Sequence, residues 1–145
     1  MNKLTNFRGA IAVNQQIKCR LSTNTGFKGY RVKKFQIISS TPGTGGSVEY
    51  VAKVYSTKVA GVTALVDFDD PTLIATVFYQ DRANASSNTE TIIIDTKVFN
   101  QDCFVTLADA EGGAIAGNFY LELEQVKLDS NEAAVATLTN LKNRS

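Results

Sequence analysis

The chain has 145 residues, enough for one domain, and its 15 basic and 14 acidic groups leave a formal charge of +1. It holds no histidine, no tryptophan and only two cysteines. That excludes Ser-His-Asp and Cys-His catalysis, His-ligated zinc, a four-cysteine metal site and a histidine pH switch.

Val, Ile and Thr make up about a quarter of the sequence, and their stiff χ1 favours strands. Residues 1–10 are polar and mixed, with Phe7 the one large aromatic, and read as an N-terminal arm. The opening residues carry no apolar core of the kind an export signal needs. No apolar run nears the ~20 residues of a membrane span.

From Ile11 to Leu21 the apolar residues fall at odd positions (Ile11, Val13, Ile17, Cys19, Leu21), with Gln15 the exception. Period two predicts one half-buried strand. Tyr30 to Ile38 reads as a second strand. Its apolar set moves from even positions (Tyr30, Val32) to odd ones (Phe35, Ile37), so a β-bulge is expected at Lys33-Lys34. The Gly- and Pro-rich stretch 41–46 predicts a loop. Val48 to Val59 is apolar on both faces and reads as a central, covered strand.

Val62 to Phe68 is short and β-prone. Leu73 to Tyr79 fits a strand that forms a hairpin with Thr91-Ile92-Ile93-Ile94 across the polar stretch 81–89. A helix with Asp70 as N-cap and Pro71 at N1 is the alternative. Lys97 to Phe99 and Cys103 to Leu107 read as strand pieces around a tight turn, and Glu111-Gly112-Gly113 as another turn. Asn118 to Leu128 is the last strand, with a bulge expected near Glu124-Gln125. Beyond it, Asp129 and Glu132 have capping-box spacing for a short helix that Val135, Leu138 and Leu141 would line.

About eight strands with regular turn signals predict an all-β fold: an antiparallel β-sandwich, jelly-roll-like, spanning 11–128. Polar arms would flank it at 1–10 and 129–145.

The candidate chemistry is sparse. Cys19 and Cys103 are expected as buried, free thiols acting as small hydrophobes; a disulfide between them is the alternative. Asp67, Asp69 and Asp70 form an acidic cluster without the order of an EF-hand, and calcium there stays open. Lys28, Arg31, Lys33 and Lys34 interleave with Tyr30 and Phe35, as a single-strand nucleic-acid surface would. Strand alternation divides them between two faces, however, and the near-zero net charge favours no dedicated nucleic-acid role. Gly43, Gly45 and Gly46 lack the Gly-Lys-Ser/Thr end of a phosphate loop. Charge is uneven along the chain: residues 1–58 hold ten Lys/Arg and one acid, residues 59–145 five and thirteen.

Four stretches carry a resemblance: residues 27–37 (Phe-Lys-Gly-Tyr-Arg-Val-Lys-Lys-Phe-Gln-Ile), 67–73 (Asp-Phe-Asp-Asp-Pro-Thr-Leu), 98–106 (Val-Phe-Asn-Gln-Asp-Cys-Phe-Val-Thr), and 118–124 with 132–138. Together they resemble small virion structural proteins of marine tailed bacteriophages, capsid-associated or decoration β-sandwiches. The resemblance implies a virion location, many copies, and binding to a major capsid protein or to copies of itself. It transfers no catalytic residue, cofactor or metal.

A non-enzymatic capsid decoration or cement subunit is therefore expected. The alternative is a receptor- or glycan-binding sandwich on a virion fibre, for which Tyr79 and Phe27 are the candidate aromatics. Neither a membrane nor a cofactor is expected as a partner. Phe7, Arg8, Val135, Leu138 and Leu141 on the two arms are the expected interface residues.

Overall fold

A computed structural model of the chain describes residues 3–21, 27–42, 47–81, 88–94, 98–129, 131–132 and 134–137. Among them are eight strands: β1 (Leu4–Ile11), β2 (Gln16–Cys19), β3 (Lys28–Ser39), β4 (Val48–Tyr55), β5 (Leu73–Asp81), β6 (Asn88–Ile93), β7 (Cys103–Asp109) and β8 (Gly117–Lys127). They form a three-stranded sheet, β1-β8-β3, and a five-stranded sheet, β2-β7-β4-β5-β6. Every pairing is antiparallel. The all-β sandwich is as expected.

The strand order is that of a long hairpin rolled on itself. β1 lies beside β8, β2 beside β7 and β4 beside β5. β3 lies against β6 across the sandwich. This nesting is jelly-roll-like, with one departure: β6 makes its ladder with its hairpin partner β5 rather than with β3. The β3–β6 seam therefore stays open. Nesting also sets basic β3 beside acidic β8 and joins Lys18 to Asp102 at 3.3 Å, so part of the charge asymmetry is neutralised inside the monomer.

The core fills the space between the sheets. Ile11, Val32, Phe35, Leu121 and Leu123 of one sheet meet Tyr50, Val54, Ile74, Val77, Val105 and Leu107 of the other, all at or near zero exposure. The β3 bulge is where the sequence places it. The β3–β8 register shifts between Val32 and Lys34, which brings Tyr30 and Val32 onto the same inner face as Phe35 and Ile37. The Leu73–Tyr79 strand and its hairpin with 91–93 also form. β4 is central, between β5 and β7.

Several expectations are corrected. Residues 4–10 are no arm: β1 pairs with β8 along its whole length, Leu4 with Glu124 through Ile11 with Gly117. It looks polar because only alternate residues face the core. Ile11 to Leu21 is two strands, not one, because a turn closes with Gln15 N–H donating to Ala12 O at 3.1 Å. Asn14 sits there at φ 69°, a left-handed conformation that Asn tolerates better than most residues. The turn carries the chain from one sheet to the other.

Residues 62–68 form no strand and belong to a long loop, 57–71. The bulge expected near Glu124-Gln125 is absent, since β8 runs in unbroken register there. The strand piece at 97–99 reduces, among described residues, to a single Tyr30–Phe99 bridge, and Lys97 lies outside them.

Asp129 does cap a helical segment at residues 131–132 and 134–137: Glu132 N–H donates to its Oδ1 at 2.8 Å. That bond, foremost among several, holds the Asp129 carboxyl below its usual value.

Candidate interaction surfaces

Of the expected interface residues, Phe7 is half-buried and packs on the core, because its position on β1 points inward. Arg8 follows it and is exposed on the outer face of the three-stranded sheet. Val135 is exposed. Leu138 and Leu141 lie outside the described residues. The C-terminal segment is tied to its own domain at least through Thr137, whose Oγ1 accepts a hydrogen bond from the Asn100 side chain at 2.8 Å.

The other candidates have structural uses. Cys19 and Cys103 are directly opposed across β2 and β7, buried and free. A hydrogen bond between the thiols is the chief cause lowering Cys19's pKa and raising that of Cys103. Asp67 and Asp70 shape turns: Asp67 Oδ1 accepts from Asp69 N–H, and Asp70 Oδ1 accepts from both Thr72 N–H and Thr72 Oγ1. Among the described residues no three His, Cys, Asp or Glu stand close enough to hold a metal. In the basic patch, Tyr30 and Phe35 are buried and Arg31 is bonded to Glu124 at 2.6 Å, so its aromatics offer no stacking surface.

Two surfaces that the sequence did not announce stand out. The first is loop 57–71. β4 and β5 are paired at Tyr55 and Leu73, so its ends are close, as in an Ω-loop. It folds back over the outer face of the five-stranded sheet. Lys53 fixes it there. Val48, Tyr50, Ala52 and Val54 face the shared core, and Lys53 alternates with them and points outward. The loop covers it so fully that the residue is 1% exposed. Its Nζ donates to Leu65 O at 2.5 Å and lies 5.5 Å from the centre of the Tyr55 ring. Burial lowers its pKa, opposed by the Asp70 carboxylate.

Gln16 clamps the loop's other arm through paired bonds to Val59 O and N–H at 3.2 and 2.9 Å. A long loop without regular structure that is nevertheless held at both arms is commonly functional. This one presents Leu65, Val66 and Phe68 at 71, 38 and 60% exposure.

The second surface is a groove of about 670 Å³ along the open β3–β6 seam and onto the outer face of β8 and β1. Ile37, Ile38, Val77, Tyr79 and Phe119 give it apolar walls, and Thr89 and Thr91 line its β6 side. Arg8 is the one charged side chain lining it among the described residues. The β5–β6 hairpin is legible in the sequence, but the seam exists because, among the described residues, the other edge of β6 makes no ladder with β3, and nothing local in the sequence decides that.

No family model matches the chain, and no curated protein matches it. A solved chain from Bacillus endospore appendages, described as a novel family of disulfide-linked pili, is similar over 89% of this chain and 92% of that one, at 13% identity and a TM-score of 0.34. A likeness of that size carries no argument about role.

Proposed function

We propose that this chain is a non-enzymatic structural protein of a tailed-phage virion, a capsid decoration or cement subunit that binds the major capsid protein. The sequence resemblance suggests the setting. The observation that carries the reading is the pinned loop, which holds three large apolar side chains in water on a small β-sandwich. Exposed apolar side chains clustered on a held loop favour a docking role. The absence of histidine and the structural roles already filled by Asp67 and Asp70 leave little for catalysis, so the reading assigns no catalytic residue.

The glycan-binding alternative is weakened, because one of its two aromatics, Tyr79, is buried and stacked on Tyr50 at 5.9 Å. The test is the number of copies per purified particle by quantitative mass spectrometry. Hundreds of copies are expected of a shell subunit. A dozen or so would transfer the chain to a fibre or attachment structure and overturn the decoration reading.

A further inference from the structure

We infer that the groove on the β3–β6 seam of one copy receives the Leu65–Phe68 loop of a second copy, joining the chains head to tail. The inference deepens the proposed function and rests on it for its purpose, since a subunit that brackets a shell gains by holding its neighbours. The contact itself is a property of the purified chain.

Leu65, Val66 and Phe68 are exposed within four residues of one another, and the loop that carries them is held by Lys53 and Gln16. A preorganised apolar tip loses little conformational freedom on docking. The groove, about 670 Å³, has an apolar floor of Ile37, Val77 and Phe119 and a polar rim that includes Gln36, Asn118 and Tyr120, and falls in the size range that takes a few large side chains. Ile38 is 48% exposed at its mouth.

Charge then selects the partner. Asp67 and Asp69 flank Phe68 and are exposed, and the groove's charged lining residue is the cation Arg8. A tip with an apolar centre and acidic shoulders is matched by a groove with an apolar floor, a polar rim and a basic flank, and opposed charges of this kind fix register more than they add affinity.

Geometry makes the contact intermolecular. The loop lies on the outer face of the five-stranded sheet, over Lys53. The groove opens from the seam onto the outer face of the three-stranded sheet. They also occupy opposite ends of the sandwich: the loop joins the β4–β5 end marked by Tyr55 and Leu73, while the groove lies toward the end where Ser39 pairs with Gly117 and Val48 with Asp81. No copy can fill its own groove. The contact joins unlike patches, so each added copy leaves one loop and one groove open, and growth ends only where a ring closes or a shell imposes the spacing.

The test uses the full chain in sedimentation velocity and light scattering, with a loop variant (Leu65→Ser with Phe68→Ser) and a groove variant (Ile38→Asp). All three positions are exposed, so melting should be little changed. The wild type should associate with rising concentration, and less so as salt shortens the Debye length below about 10 Å. Each variant alone should weaken association by more than about tenfold, the least expected of a central anchor. An equimolar mixture of the two variants should recover a dimer and stop there, because only one intact loop and one intact groove remain.

If Ile38→Asp does not fold, Arg8→Glu replaces it, and Asp69→Lys, which spares the turn held by Asp67, should then restore binding. A wild type that stays monomeric at every concentration, or a mixture that does not dimerise, overturns the inference. The two readings fail separately: a monomeric chain present at hundreds of copies per particle sinks the contact and spares the role, and an associating chain at a dozen copies does the opposite.

Discussion

Replacing Tyr50 by Phe isolates one hydroxyl at the centre of the sandwich. Tyr50 is fully buried, and its Oη donates toward Ile115 O, in a short bond, and toward Ala116 O at 3.1 Å. Ala116 O also accepts from Ser40 N–H at 3.1 Å, so it stays satisfied in the variant, whereas Ile115 O loses this donor. The ring remains, with its stack on Tyr79, so the cavity is no larger than one oxygen. A lost hydrogen bond of about 1 kcal/mol plus part of the cost of a stranded carbonyl comes to about 2 kcal/mol. With a urea slope of about 2 kcal/mol/M for a chain this size, the midpoint should fall by about 1 M.

Alkaline pH supplies a second check. Burial, opposed by a hydrogen bond with Ser39, raises the Tyr50 pKa above its ordinary 10.0. Tyr50's contribution is therefore fully present below pH 10.0 and is lost as pH rises through the higher folded value. Phe has nothing to ionise, so the gap between wild type and variant should narrow above pH 10.0. Tyr30 and Tyr55, raised likewise, titrate in both proteins and cancel in the difference, whereas Tyr79, stacked on Tyr50, interacts with it and belongs to the same effect. An unchanged midpoint at neutral pH, or a gap that stays constant into the alkaline range, would refute the assignment.

Lys53→Met should be at least as stable as wild type at neutral pH, since replacing a buried charge by an apolar side chain of similar length is commonly neutral or stabilising; a large loss of stability would mean that the Leu65 carbonyl, bonded to Lys53 Nζ, finds no other donor. The folded pKa of Lys53 lies below 10.5, so the unfolded chain binds the extra proton and wild-type stability should climb as pH rises toward 10.5; melting curves should show the variant lacking that climb. Gly29→Ala should cost about 1–3 kcal/mol by chemical denaturation, because a Cβ there would lie 2.8 Å from Val98 Cγ1 and 3.1 Å from Leu128 Cδ1; a neutral result would mean that Val98 yields freely. Cys19 and Cys103 should resist a thiol reagent in the folded protein and react on unfolding, and Cys19→Ala should cost about 1–3 kcal/mol through lost burial. Rapid labelling of the native protein, or an intact-mass loss of two hydrogens in fresh material, would contradict the buried-thiol reading.

The sequence by itself determined the features that depend on near neighbours. Alternation with a parity change at Lys33-Lys34 located the β3 bulge, since a period-two pattern slips by one only where a residue is inserted. Asp129 with Glu132 marked a helix cap, because the bond spans three residues. Glu111-Gly112-Gly113 marked a turn, which Gly112 takes at φ 76°. What depends on distant partners was not written locally. β1 looked like a polar arm because an edge strand with one wet face needs few apolar residues, and only its pairing with β8 at the far end of the chain makes it a strand. Lys53 lies in a strand that reads as covered, but only loop 57–71, closing over it, turns it into a clamp. Cys19 and Cys103 became neighbours only through the β2–β7 register. The groove arose because, among the described residues, the outer edge of β6 makes no ladder with β3, which the β5–β6 hairpin read from the sequence could not decide. Hydrogen bonding of the backbone is indifferent to side-chain identity, so which strand completes which sheet is decided by the packing of the whole domain.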